Sequence, residues 1–312
     1  MTDTAGRHVG TVARIGTRAS RLARTQTQTV AAALTVAGLA TELVPMTSEG
    51  DRNRASLASL GGTGVFAAAL RTALLAGECD AVVHSLKDLP TTPHPGLVVA
   101  ATPVREDARD ALCARDGLTL ATLPPGARVG TGSPRRAAQL HTARPDLEVV
   151  DIRGNVDTRL GFVADGELDA VILAAAGLRR IGRADAITAE LDLDTWPGAP
   201  GQGALAVEIR ETDATGTALA AALAGIHDSD AWAAVTAERA LLAALEAGCA
   251  APVGATATAS DGVLTVSGTA YRPGGGESRT AAATGRPDEA AALGRAVAAD
   301  LLAAGAGAWI AG

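Results

Sequence analysis

The chain has 312 residues, enough for two or three domains at about 150 residues each. Hydrophobic residues make up 47 %, which excludes an intrinsically disordered chain, and aromatics only 2 %, so the core must be built from Val, Leu, Ile and Ala. The net charge of −7 argues against a general nucleic-acid binder, and no long apolar run is free of charges or turns, so no membrane span is expected.

The start, Met1 to His8, carries no apolar core of a signal peptide, which predicts a cytoplasmic protein. His8 to Ile15 reads as a strand ending at Gly16-Thr17. Ser20 to Ala37 reads as a helix, with Ser20 as N-cap and Gly38 as stop. Thr41 to Met46 is a second strand. Thr47 to Gly64 is polar and glycine-rich, a functional loop by its length. Val65 to Ala76 is a helix, and Asp80 to His84 a β-branched strand leading into Ser85-Leu86-Lys87-Asp88. This alternation predicts right-handed βαβ units in a mainly parallel sheet.

A second α/β region follows. Strands are expected at Asp110 to Ala114, Arg128 to Gly130, Glu148 to Ile152 and Ala170 to Ala174. Helices are expected at Ser133 to Arg144 and Val156 to Gly166. The turn-rich run Trp196 to Gly203 crosses back to a strand at Ala204 to Ile209. The last part differs: a long helix from Asp228 to Ala247, strands near Ala255 and at Val263 to Ala270, and a helix from Asp288 to Ala304. This predicts a small α+β domain.

The cations are unusual in kind. Of 27 basic side chains, only Lys87 is a lysine. A guanidinium is a planar fork that is always charged, whereas an ammonium is a point charge whose pKa shifts on burial. In Gly130-Thr131-Gly132-Ser133-Pro134-Arg135-Arg136, Ser133 can cap a helix and Pro134 can open it. Two arginines in that first turn oppose the helix dipole, which suggests a bound anion that offsets them. Arg153 lies at a strand end, Arg159 in the next helix, and Arg180 after another strand. Arg18, Ser20, Lys87 and Asp88 hold the corresponding positions in the first region. Ligands of open α/β sheets bind beyond the carboxyl ends of strands, so these cations converge on one crevice suited to carboxylates. No phosphate-loop motif is present. Asp88 is the one acid of the group: it can stabilise a cation or shuttle a proton, or it can serve as a cap or salt bridge.

Three cysteines without a signal peptide imply free thiols, and no Cys/His spacing reads as a metal site. Cys79 and Cys113 lie in apolar strands as packing residues. Cys249 sits in a glycine-flanked loop, open to a role as nucleophile or attachment point.

These motifs together resemble hydroxymethylbilane synthase, the porphobilinogen deaminase family. The residues that carry the resemblance are Val83 to Pro90, Arg135-Arg136, Arg153 to Leu160, Pro200 to Ala204 and Gly248 to Gly254, in matching order. The resemblance implies two domains like the halves of periplasmic binding proteins, residues 1–103 with 204–224 and 104–203, with the site between them. A third domain, 225–312, would carry Cys249, joined by a thioether to a dipyrromethane cofactor. It implies a monomeric transferase of tetrapyrrole biosynthesis that joins four porphobilinogen molecules with release of ammonia, needing neither nucleic acid nor membrane. Asp88 matches the catalytic aspartate. Arg18, Lys87, Arg135, Arg136, Arg153, Arg159 and Arg180 match the binding cations, with Ser20, Thr131 and Ser133 among the contacts. Two departures stand out: Ser59 and Thr63 replace lysines of the family loop near Arg52, Arg54 and Phe66, and Ala247 and Ala250 flank Cys249 where Gly and Gln are common. A non-catalytic anion-binding or ligand-sensing protein on the same two-lobed scaffold is the alternative.

Overall fold

The structure, a computed structural model, describes residues 12–46, 65–247 and 251–310. The expected loop at 47–64, the strand start at His8 and the Cys249 loop at 248–250 lie outside the described residues. The first part of the chain forms β1 (Ala13–Arg18), α1 (Arg21–Val36), β2 (Thr41–Met46), α2 (Val65–Leu75), β3 (Ala81–Ser85), a single 3-10 turn (Leu86–Asp88) and β4 (Leu97–Ala101). Ser20 caps α1 through its hydroxyl, which accepts from the Ala23 N–H, and Gly38 follows the helix at φ 89°. β1 continues through the expected Gly16-Thr17 stop to Arg18, one residue beyond it. Gly16 pairs within the strand, and glycine suits it because an added Cβ would lie 2.9 and 3.0 Å from Val82 and Cys79.

The middle part forms β5 (Asp110–Ala114), β6 (Arg128–Gly130), α3 (Pro134–Ala143), β7 (Glu148–Val150), α4 (Val156–Ala164), β8 (Ala170–Ala174), α5 (Ala175–Arg180) and β9 (Ala189–Leu191). β10 (Leu205–Arg210) then returns to the first part. The first sheet has the order β2-β1-β3-β10-β4 and the second β7-β6-β8-β5-β9. In each, one strand runs against its two neighbours: β10 in the first and β5 in the second. The other pairings are parallel, as expected of βαβ units. Fully buried Ile15, Leu34, Val207 and Ile209 pack the first sheet's core, and Leu112, Val129, Leu140 and Ile172 that of the second.

The last part forms α6 (Ala218–Ile226), α7 (Ser229–Ala244), β11 (Val253–Ser260), β12 (Val263–Tyr271), β13 (Ser278–Gly285), α8 (Ala290–Ala303) and α9 (Gly307–Ile310). β11-β12-β13 is an antiparallel sheet, packed on α7 and α8 through Leu241, Leu264, Val266, Val297 and Leu301. From α7 onward this is the expected small α+β unit, whereas α6 packs on the first sheet through Leu219, Ala222 and Leu223.

Two segments join the sheets, one between β4 and β5 and one between β9 and β10. They touch along their backbones: Glu106 N–H donates to Gly203 O, and Arg105 Nε donates to Gln202 O at 2.9 Å. Gly203 has φ 85°, and an added Cβ would lie 2.2 Å from Glu106 O, so only glycine fits. Arg105 also holds Glu238 of α7. That buried carboxylate accepts from both Arg105 nitrogens, the Gly201 N–H and the Ala257 N–H, which fastens the third unit to the crossing.

Candidate active site

The turn after β3 in the first sheet lies near the start of α3 and α4 in the second: Lys87 contacts Gln202 and feels the charges of Arg136 and Asp110, and Arg159 feels that of Asp88. β3 ends in Ser85, held through its hydroxyl by the buried Gln26 of α1 at 2.8 Å. The 3-10 turn that follows carries Lys87 and Asp88, which differ in exposure. Lys87 is half-buried and donates to Gln202 Oε1 at 3.1 Å. Burial, helped by the nearby Arg136, lowers its pKa to about 8, with Asp88 and Asp110 opposing. Asp88 is exposed, and its carboxylate makes no hydrogen bond or ion pair among the described residues. Arg239 of α7 steadies the turn from behind, donating to the carbonyls of Leu89 and Pro90.

Arg18 is half-buried at the end of β1, two residues before Ser20. Across the crevice, Arg159 is half-buried in α4 and bonded to Gly154 O at 2.9 Å. Burial lowers its pKa, with Arg136 and Arg153 adding to the effect and Asp151 and Asp88 opposing it. Arg153 is exposed in the loop after β7, 3.3 Å from Asp151. Arg180, at the end of α5, is half-buried and donates to Gly203 O at 2.7 Å. Thr131 is buried, its hydroxyl accepting from the Ser133 N–H, and Ser133 caps α3 by accepting from the Arg136 N–H.

Arg135 and Arg136 are placed differently from the rest. Both lie in the first turn of α3, buried at 3 % and 6 % exposure. The anion expected to offset them is a side chain of the protein, Asp110 at the start of β5. Arg135 reaches it at 2.9 Å and Arg136 at 2.6 Å. Asp110 accepts also from the Trp196 indole and the Gln202 amide, so its oxygens are fully engaged. Burial pushes the Asp110 carboxyl up, but the two guanidiniums outweigh it and hold it well below the usual carboxylate range. The Nε atoms of Arg135 and Arg136 remain without a partner among the described residues. Sequence reasoning missed Asp110 and Gln202. The available signal was the pair of first-turn arginines, which demanded a counter-charge, and a lone acid opening an apolar strand.

The site thus sets the exposed Asp88 carboxylate near Lys87 and Arg159, and Arg159 and Arg180 each donate to a backbone carbonyl. Such a set can hold a ligand rich in carboxylates and stabilise positive charge beside it. Cys79 and Cys113 take no part; both are buried, and burial pushes their thiols up to about 11 and about 12. Among the described residues no cluster suits a metal ion, and no helix is long and apolar enough to cross a membrane.

Comparison with known proteins bears on this geometry. The family model described as porphobilinogen deaminase, dipyromethane cofactor binding domain, matches residues 13–218, and that described as porphobilinogen deaminase, C-terminal domain, matches residues 232–303. The porphobilinogen deaminase of Leifsonia xyli subsp. xyli is 60 % identical over 304 residues, covering 94 % of this chain and 92 % of its own. That of Micrococcus luteus is 59 % identical over 278 residues, covering 80 % of this chain and 74 % of its own. Among solved structures, a periplasmic substrate-binding protein of an ABC transporter from Coxiella burnetii aligns with 70 % of this chain and 92 % of that one, at 17 % identity and a TM-score of 0.45.

Proposed function

The chain belongs to the porphobilinogen deaminase family, and from that premise we propose that Asp88 is its catalytic residue. The reaction joins four porphobilinogen molecules into the linear tetrapyrrole hydroxymethylbilane, releasing ammonia at each addition. The alternative of a non-catalytic anion receptor is set aside by the family.

The observation that carries the assignment is the open carboxylate of Asp88 beside Lys87 and near Arg159. Loss of ammonia from porphobilinogen leaves a methylene cation shared with the ring nitrogen. Asp88 would accept the ring N–H and stabilise the charge as it develops, in a site already organised to do so. Lys87, Arg18, Arg153, Arg159 and Arg180 would hold the acetate and propionate groups that every ring carries, with Ser20, Thr131 and Ser133 shaping the floor. Arg135 and Arg136 would contribute to binding through the net positive charge that two guanidiniums leave against the single Asp110 carboxylate.

The dipyrromethane cofactor of the family fits this donor set, since its carboxylates call for guanidiniums and its N–H groups for a carboxylate. We assign its thioether attachment to Cys249. When bound it supplies a tethered primer, which makes each addition intramolecular. Of the proposed domain boundaries, 103/104 and 203/204 fall in the two crossing segments, while 224/225 falls inside the last turn of α6, ahead of α7. We take the protein to act in the cytoplasm as a monomer, without nucleic acid; the acidic charge and the buried, unpaired Cys79 and Cys113 support this.

Intact mass of the purified protein tests the assignment. Added mass equal to two linked pyrrole units, lost in Cys249→Ser, is expected. A folded, unmodified wild type from a host that makes porphobilinogen would overturn it.

A further inference from the structure

The two halves of the crevice are also joined at its outer edge, by a residue the proposed chemistry does not use. Arg21 is the first residue of α1, and no acid occupies that turn, so the helix dipole disfavours its charge there. Its compensation comes from the opposite sheet. Nη2 donates to the carbonyl of Ile181 at 2.7 Å, and Nη1 lies 3.5 Å from Asp157 Oδ1. Ile181 is the C-cap of α5, where helix carbonyls concentrate partial negative charge. Asp157 sits in the first turn of α4, where an acid is favoured, and Arg183 approaches the same oxygen at 3.6 Å. Beside this contact, Leu22 of α1 packs near Gly177 of α5, at 3.7 Å from an added Cβ.

The ionic arm of this contact differs from the ties at the crossing segments. Those ties, Arg105 to Gln202 and Gly201 to Glu238, are buried or half-buried and bond backbone to side chain. The arm from Arg21 to the Ile181 carbonyl is half-buried, but the ionic arm is exposed, with 59 % of the Arg21 side chain and 43 % of that of Asp157 open to solvent. An exposed ion pair of this kind is weak and easily exchanged for water. A chain that lengthens ring by ring inside the crevice must move the halves apart at the mouth before it disturbs the crossing segments.

We propose that Arg21 is a reversible clasp across the mouth of the crevice, a positioning residue that holds the two halves for the short chain and is released as the chain grows. It rests on the polymerisation reading above. Its consequence is that part of the cost of the later additions is the opening of this contact, while the first addition proceeds with the clasp closed.

The test uses the holoenzyme, confirmed by intact mass to carry its primer, given limiting porphobilinogen and quenched at intervals. The ladder of enzyme-bound chains is then read by mass. In Arg21→Gln the later additions are expected to speed up relative to the first, by up to about five-fold, the range an exposed charged contact supports. Asp157→Asn, which removes only the ionic arm, is expected to shift the ladder the same way by less. A ladder unchanged in both variants overturns the clasp. So does a selective slowing of the later additions in Arg21→Gln, which would make Arg21 a binding site for the growing chain. A wild type that carries a primer but forms no ladder would instead count against the polymerisation reading.

Discussion

The Lys87 ammonium and the side-chain oxygen of Gln202 lie 3.1 Å apart, and through this contact the turn after β3 is joined to the buried charges of the second sheet. Gln202 is wholly buried, and its amide nitrogen donates to Asp110 and to the carbonyls of Ala108 and Arg109. Its oxygen is thereby turned toward Lys87 and Arg136. One residue of a crossing segment therefore fixes the position of a proposed substrate-binding cation and of the charge cluster behind it.

The lowered pKa of Lys87 predicts a pH limit on substrate binding. Below about 8 the ammonium is charged and can hold a carboxylate; above that it is neutral. KM for porphobilinogen is therefore expected to rise as pH passes about 8, by about 10- to 100-fold if one charge-assisted hydrogen bond is lost. Lys87→Arg should remove that limb, because a guanidinium stays charged. For stability the sign is opposite. The folded value lies below the ordinary 10.5, so between about 8 and 10.5 the unfolded chain binds more protons, and this group's contribution to stability rises with pH across that window. A KM flat to pH 10 would remove Lys87 from the binding set.

Asp110→Asn is expected to destabilise the fold by about 3–5 kcal/mol, the cost of leaving buried guanidiniums without their counter-charge. Arg135 and Arg136 would then share only neutral acceptors, such as Gln139, Pro197 O and Ile172 O. Thermal unfolding of the variant against wild type measures this. A loss under about 1 kcal/mol would mean that the arginines find another anion.

Asp88→Ala is expected to lower kcat by about 10²–10³-fold with little change in melting temperature, since the carboxylate stabilises developing charge and packs against nothing in the core. Asp88→Asn keeps the shape and loses the charge, so it should be nearly as slow. Porphobilinogen consumption by the primed enzyme is the measurement, and near-normal turnover would sink the role.

Much of this arrangement was readable in the residues. Ser20 and Gly38 bracket α1 as their chemistry predicts, and the β-branched run before Ser85 is β3. Other elements were hidden for physical reasons. β4 is a short apolar run after a proline-rich turn, with no alternation to mark it. β13 sets Ser278, Thr280, Ala282 and Thr284 on one face and Arg279, Ala281, Ala283 and Gly285 on the other, too little contrast to signal a buried side. α5 was concealed by Gly177, where the helix passes close to Leu22. At the site, the convergence of cations could be inferred from strand ends, but Asp110 could not: its partners lie 25 and 26 residues away and meet it only when β5 is laid antiparallel beside β8.

The placement of β10 has a consequence for how the molecule is made. That strand lies between β3 and β4, pairing with both, so the first sheet is split until residue 210 has been synthesised. The strands of the second sheet all fall within residues 110–191, a continuous stretch. On the ribosome the later-encoded half is therefore the first that can close its sheet, and the amino-terminal half waits with an open gap between two apolar strands. Release of a chain truncated between β9 and β10 would leave that gap exposed, a ready site for pairing with another unfinished chain.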